Sequence, residues 1–238
     1  GKTVSVVFST YRERASIRSA IEDFFVTGVV DEIVVVNNNA EPGTDEEVKK
    51  TKARLIYEKR QGYGYGYQTG IREATGDYII LSEPDGTYAA RDVSKFLVYG
   101  DEFPVVLGSR TNQSTILEGA AMGFVRKIAN VIVAKIAEVL FNTNALTEVG
   151  CTYKLFHRDI LRDLEPYWRA HDALFATELM LLVVSRRIKF VEIPIAFSER
   201  VGESSLTGRW YHLVRWGLRI FFFVVMFWVR WVLGRKQS

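Results

Sequence analysis

The stretch GIREATGDYIILSEPD, residues 70–85, decides the fold. A helical pattern over 68–74 is stopped by Gly76, an apolar run Tyr78-Ile79-Ile80-Leu81 follows, and the chain then enters the acidic turn Glu83-Pro84-Asp85-Gly86. A helix leading into a short, wholly apolar strand is the unit of a parallel sheet covered on both faces. Upstream, VSVVF at 4–8 and EIVVV at 32–36 repeat the pattern. Ser9-Thr10 offers a cap for a helix over 15–25, and Asn37-Asn38-Asn39 closes the second run. A helix over 44–52 and a strand over 54–57 complete a β-α-β-α alternation, which predicts a doubly wound, mostly parallel α/β sheet. Ligands of such sheets collect beyond the carboxyl ends of the strands, where the Asn cluster and the acidic turn both fall.

Downstream the pattern is less regular. The sequence predicts a strand over 105–107 leading to Gly108-Ser109-Arg110, helices over 124–141 and 177–185, a late strand over 190–195 and a polar loop over 199–208. The stretch 210–233 is long enough for a membrane span but is interrupted by Arg215, Arg219 and Arg230. Its uninterrupted apolar core, 220–229, makes about 15 Å of helix against a hydrocarbon layer of about 30 Å. An interfacial helix with snorkelling arginines is the first reading, a tilted span the second and a soluble core helix the third. The chain is accordingly divided into a body, 1–205, and a membrane-associated helix and tail, 206–238.

With 238 residues, 48% hydrophobic and 25% charged, the chain is of a size and make-up to bury a substantial core. From Ser204 onward there are six basic residues and no acidic one, leaving 25 basic against 28 acidic in the body. A basic tail this rich in Trp and Phe suits an anionic lipid surface better than nucleic acid. One cysteine, Cys151, excludes an internal disulfide and makes a reducing compartment the simpler expectation. The three histidines lie far apart, which argues against zinc. No secretory signal is expected ahead of the first strand, and Gly1 in place of Met suggests that residues before it are missing.

Glu83 and Asp85 bring two carboxylates to the end of a strand, with Pro84 fixing the backbone between them. Such a pair can hold one hard cation, Mg²⁺ or Mn²⁺, whose remaining positions are taken by water and phosphate. The bland reading of an isolated acidic turn is a solvated polar loop. Gly62-Tyr63-Gly64-Tyr65-Gly66 fails the spacing of a dinucleotide fingerprint and reads as a flexible loop close to a nucleotide, its tyrosines stacking on a base or simply packing.

Several segments together resemble family 2 glycosyltransferases of the GT-A fold, a Rossmann-like architecture, and in particular the polyprenyl-phosphate (dolichol-phosphate mannose synthase-like) branch. They are VSVVFSTYRERASI (4–17), EIVVVNNN (32–39), GIREATGDYIILSEPD (70–85), VLGSR (106–110), the helix from Arg126, LTEVGCTYKLF (146–156) and EIPIAFSERVGESS (192–205), in the family's order along nearly the whole chain. The resemblance implies that Thr10, Glu13, Asn38 and Gly62 line the nucleotide site and that Glu83, Asp85 and Thr87 surround the metal. It implies that Arg110, Arg126, Lys154 and Arg200 supply cations for the acceptor phosphate and the diphosphate, with Glu148 near the reaction centre. Arg126 and Lys154 also read as solvated helix-face or strand charges. The chain departs from the family where Glu83-Pro84 begins the metal motif in place of an aspartate, where Asn37-Asn38 replaces an Asp pair, and where Tyr153-Lys154 replaces Phe-Arg.

The implied function is an inverting transfer of a sugar from a UDP- or GDP-sugar to a polyprenyl phosphate at the cytoplasmic face of a membrane, with a homo-oligomer among the compatible assemblies. A phosphate acceptor is already ionised and needs cations to hold it in line, whereas a hydroxyl needs a general base. Two alternatives stand beside it: transfer to a sugar hydroxyl with Glu148 as base, and a catalytically silent, membrane-bound nucleotide-sugar binder.

Overall fold

The computed structural model describes residues 1–110, 120–143, 146–198 and 210–235; of 120–127, 210–213 and 235 it describes the backbone only. Seven strands form one sheet: β1 (Val4–Thr10), β2 (Glu32–Asn37), β3 (Arg54–Tyr57), β4 (Tyr78–Leu81), β5 (Val105–Ser109), β6 (Lys154–His157) and β7 (Phe190–Pro194). Their order across the sheet is β3-β2-β1-β4-β6-β5-β7. β6 lies antiparallel to both of its neighbours, and the other six run the same way. The expected doubly wound, mostly parallel sheet is therefore present, with one reversed strand that the sequence pattern did not reveal. The reason is local: β6 is four residues long and begins with Lys154, a charge where a buried strand should be apolar.

Alternation along the strands builds two cores. Val7, Val34, Val36, Ile79, Leu81, Leu107 and Phe156 face one side, and Val6, Phe8, Ile33, Val35, Ile80, Val106 and Leu155 the other. Burial on both faces is why these strands read as continuous apolar runs. The second face is covered by α1 (Ile17–Val26) and α4 (Val93–Gly100). The first is covered by α3 (Tyr63–Glu73), α5 (Ala120–Phe141), α6 (Arg158–Leu164), α7 (Phe175–Ser185) and α8 (Trp210–Arg235); α2 (Thr44–Lys49) precedes β3. The pattern did not anticipate α4 or α6.

Two expectations change. The helix after β1 starts at Ile17, and Thr10 is the last residue of β1 rather than its cap. The Gly-Tyr repeat is not a loop: Tyr63 to Gly66 form the first turn of α3. Its glycines are needed for packing. A Cβ on Gly64 would stand 2.6 Å from the backbone carbon of His171 and 2.7 Å from the Ala170 oxygen. At Gly62 the φ of +155° and a Cβ 2.3 Å from the His171 oxygen exclude a side chain.

α8 is laid along the body. Ile220 and Val224 are buried, Trp228 Nε1 donates to the Leu140 carbonyl (2.8 Å), and Trp231 packs on Phe141 at 5.4 Å between ring centroids. Val214, Leu218, Phe222, Met226 and Leu233 on its other side are exposed, as are Ile128, Ile132 and Val139 of α5. The helix is continuous for 26 residues, and 214–234 is long and apolar enough to cross a membrane by length and composition.

Candidate active site

A cavity of about 340 Å³ opens beyond the carboxyl ends of β1, β2 and β4. Its floor comes from Ser9 to Glu13 at the end of β1 and the turn beyond it, Asn38 after β2, and Glu83 and Pro84 after β4. Tyr63 and Tyr67 of α3, Gly150 and Thr152 ahead of β6, and Ala173 and Thr177 at the start of α7 form its walls. Trp216 and Ile220 of α8 complete it. The C-terminal helix thus contributes directly to the wall of the site.

Of the residues expected at the nucleotide, Thr10, Glu13 and Asn38 line the cavity, and Gly62 adjoins it through Asn38. Much of their hydrogen bonding shapes the backbone. Glu13 Oε2 accepts from the Thr10 hydroxyl (3.0 Å) and from the amides of Tyr11 (2.7 Å) and Arg12 (2.9 Å), closing the turn after β1. Asn38 Nδ2 donates to the carbonyls of Glu58 (3.0 Å) and Arg60 (2.7 Å), while its Oδ1 accepts from the Gly62 amide (2.9 Å). Asn38 is therefore the staple that holds the loop after β3 against β2. An amide does this with both donor and acceptor, which a carboxylate could not. Below that loop, Arg60 holds the Glu58 carboxyl down to about 2.

The acidic turn separates its members. Glu83 reaches the cavity, where its Oε1 accepts from the Thr152 hydroxyl at 2.6 Å. Asp85 is 2% exposed and is not part of the lining; its Oδ1 accepts from the Thr87 amide (3.0 Å) and hydroxyl (2.6 Å). Thr87 and Asp85 thus brace the turn, and Gly86, at φ +79°, lets the chain reverse between them. The expected convergence of Glu83, Asp85 and Thr87 on one ion is not what the described geometry displays, because the turn ends the strand's alternation after Glu83. Among the described residues no group of three His, Cys, Asp or Glu side chains is placed to hold a metal. A hard divalent cation does not require one: it takes one or two protein carboxylates and completes its shell with phosphate and water. Glu83 fits that donor set.

Behind the turn lies a buried charge cluster. Glu148 Oε2 accepts from the Arg110 amide (2.7 Å) and Oε1 from Arg110 Nε (2.7 Å), with a further guanidinium nitrogen on the same oxygen. The Glu148 side chain is fully buried and that of Arg110 is 23% exposed. Glu192 fastens the same segment from below: it accepts from the amide (3.1 Å) and hydroxyl (2.5 Å) of Thr147, and burial pushes its carboxyl up. Lys154 is 2% exposed, and its Nζ has no hydrogen-bond partner among the described residues. Burial lowers its ammonium pKa, opposed by Cys151, Glu148 and Glu83. A buried amine without a hydrogen-bond partner among the described residues, close enough to Glu83 to feel its charge, is an arrangement that folding alone does not favour. The Arg126 side chain and all of Arg200 lie outside the described residues, as does the loop 199–208.

Tyr63, Thr152, Trp216 and Ile220 were not singled out by the sequence. Tyr63 sat within a motif read as a loop, Thr152 has no signature of its own, and the two α8 residues look like any membrane-facing apolar pair until the helix is folded back.

Residues 5–164 match the model of glycosyl transferase family 2. A dolichyl-phosphate hexose transferase of Haloferax volcanii is 29% identical over 206 residues, 85% of this chain and 86% of that protein. A dolichyl-phosphate beta-glucosyltransferase of Saccharomyces cerevisiae is 24% identical over 226 residues, 82% of this chain and 67% of that one. Among solved structures, glucosyl-3-phosphoglycerate synthase of Mycobacterium tuberculosis with Mn²⁺, UDP-glucose and phosphoglyceric acid superposes with a TM-score of 0.70. It covers 96% of this chain and 80% of its own at 16% identity, so that likeness speaks to the fold. The sheet, the cavity at its carboxyl edge and the match over two thirds of the sequence agree: the chain belongs to glycosyl transferase family 2 and is a glycosyltransferase.

Proposed function

We propose that this enzyme transfers a hexose from a UDP- or GDP-sugar to a polyprenyl phosphate at a membrane surface. One observation carries the reading: the cavity at the sheet's carboxyl edge is walled by Trp216 and Ile220 of a helix whose opposite face is apolar and exposed. A lipid-borne acceptor lying in that surface would present its phosphate to the cavity without leaving the membrane. The names of the Haloferax and yeast relatives, both dolichyl-phosphate sugar transferases, support the same acceptor class.

In this reading Glu83 holds Mg²⁺ or Mn²⁺, which when bound neutralises charge on the departing nucleoside diphosphate. Thr10, Glu13, Asn38 and Gly62 shape the nucleotide end, while Asp85 and Thr87 keep the acidic turn rigid. Lys154, Arg110, Arg126 and Arg200 are the cations assigned to the diphosphate and the acceptor phosphate. Arg110 is paired with Glu148. That pairing disfavours Glu148 as a general base, because both of its oxygens accept from Arg110.

The membrane reading favours an interfacial helix over a span. From Trp216 to Trp231, one side of α8 packs on the body, so a spanning α8 would carry α5 and the cavity wall into the hydrocarbon. Exposed Arg215 and Arg230 would sit at headgroups, with Leu218, Phe222 and Met226 below them. The helix and tail, 206–238, would then act as the membrane-associated part and 1–205 as the catalytic body, facing the cytoplasm, singly or as a homo-oligomer.

The test is transfer of radiolabelled hexose from UDP- and GDP-sugars, with Mn²⁺, to polyprenyl phosphate and to free sugars in parallel. Label in the lipid-extractable fraction alone is expected. Label in free sugars alone would overturn the acceptor assignment.

A further inference from the structure

Glu83 is one methylene longer than the aspartate that begins this motif in the family it resembles, and its carboxylate needs something to hold it. The sheet supplies a partner. β4 and β6 pair antiparallel with Leu81 opposite Lys154, and carrying that register two residues onward sets Glu83 against Thr152. The Thr152 hydroxyl donates to Glu83 Oε1 at 2.6 Å, and the Tyr63 hydroxyl lies 2.5 Å from the same Thr152 oxygen. A threonine hydroxyl has one proton, and here it points to the carboxylate, so Tyr63 must be the donor to Thr152. The result is a directed chain, Tyr63 O–H to Thr152 O–H to Glu83, in which each bond polarises the next. All three residues line the cavity.

One turn further along α3, Tyr67 is 1% exposed; its hydroxyl donates to the Ser82 carbonyl at 2.6 Å, and its ring packs on that of Tyr63 with centroids 4.5 Å apart. α3 therefore reaches the acidic turn twice, once directly at the backbone next to Glu83 and once at the carboxylate through Thr152. Its own placement is set by the close approach of Gly64 to residues 170 and 171.

We propose that Tyr63 and Thr152 are positioning residues that aim the Glu83 carboxylate for the divalent cation accompanying the donor's diphosphate. The inference rests on the reading of Glu83 as the cation-facing carboxylate. It adds that the extra rotatable bond of a glutamate is tolerated here because the hydroxyl chain fixes its rotamer before the ion arrives. Outer-sphere partners of this kind typically change metal affinity about 10- to 100-fold when removed.

The experiment measures thermal stabilisation of the full chain by UDP across a Mn²⁺ titration, which requires no turnover. Tyr63→Phe and Thr152→Val are expected to raise the Mn²⁺ concentration at half-maximal stabilisation by about tenfold or more. Thr152→Ser, which keeps the hydroxyl, is expected to stay near wild type. Glu83→Gln is expected to lose the Mn²⁺ dependence altogether. A wild-type midpoint in both Tyr63→Phe and Thr152→Val, with Glu83→Gln still defective, would overturn the positioning role alone. A wild-type midpoint in Glu83→Gln would overturn the cation reading and the positioning role with it. Should Thr152→Val not fold, Tyr63→Phe and Thr152→Ser decide the matter between them.

Discussion

Glu148→Ala separates a structural carboxylate from a catalytic base. Glu148 is fully buried, and Arg110 donates to both of its oxygens through its amide and guanidinium. Removing the carboxylate leaves a guanidinium only 23% exposed without that partner. Breaking one side of a buried pair costs about 3–5 kcal/mol, and partial exposure of Arg110 argues for the lower edge, about 3 kcal/mol. For a domain of this size each kcal/mol moves Tm by roughly 2–4 °C, so a fall of about 6–12 °C is expected by calorimetry. The double variant Arg110→Leu/Glu148→Leu removes both charges and should fall by clearly less than the sum of the two single losses. A Tm for Glu148→Ala within about 2 °C of wild type, or additive single losses, would refute the argument that the pair is a buried, coupled unit. Glu148→Gln also bears on the chemistry. Sugar transfer that survives in Glu148→Gln excludes it as the base, whereas selective loss of transfer with a normal Tm would restore the hydroxyl-directed reading.

Gly64→Ala drives a Cβ to within 2.6–2.8 Å of the Ala170–His171 backbone. Overpacking costs about 1–3 kcal/mol, set against the roughly 1 kcal/mol by which alanine favours a helix. A net loss of stability with a raised KM for the nucleotide sugar is expected, and an unchanged Tm would show that the contact is soft. Lys154→Met should stabilise the fold at pH 7 by about 1 kcal/mol or more, since a buried group without its hydrogen bonds costs at least that, while lowering transfer. The sign with pH follows from the depressed ammonium pKa: between the folded value and the unfolded value of 10.5 the unfolded chain binds more protons, so stability rises with pH there. The advantage of Lys154→Met in Tm should therefore shrink toward pH 10, and an advantage independent of pH would show that burial does not depress the Lys154 ammonium pKa. Arg215→Gln/Arg230→Gln should weaken flotation with anionic vesicles by about 1 kcal/mol per arginine at low salt and leave binding to neutral vesicles unchanged; equal loss on both would remove headgroup pairing as their role.

Much of the sheet was legible because parallel strands buried on both faces are rich in apolar residues, and 4–8, 33–36, 78–81 and 105–107 carry that mark. The placement of the acidic turn at a strand's carboxyl end followed from the same runs. β6 escaped notice because it is four residues long and its first residue, Lys154, is a charge, which a search for apolar runs passes over. The glycine repeat misled for a related reason: glycine is scarce in helices, and only the backbone of residues 170 and 171 lying against α3 makes it necessary there.

What the amino-acid order determined by itself was local: periodicity, the turn chemistry, the basic aromatic tail and the family pattern in its order along the chain. Tertiary structure alone decided which of two carboxylates two residues apart reaches the cavity, that Asn38 and Asn39 hold the loop after β3, and that a tail helix forms part of the wall of the cavity. Each of those depends on groups far apart in sequence. Thr152 meets Glu83 only through the antiparallel register of β6 on β4, and Trp216 reaches the cavity only because α8 folds back along α5 and α7.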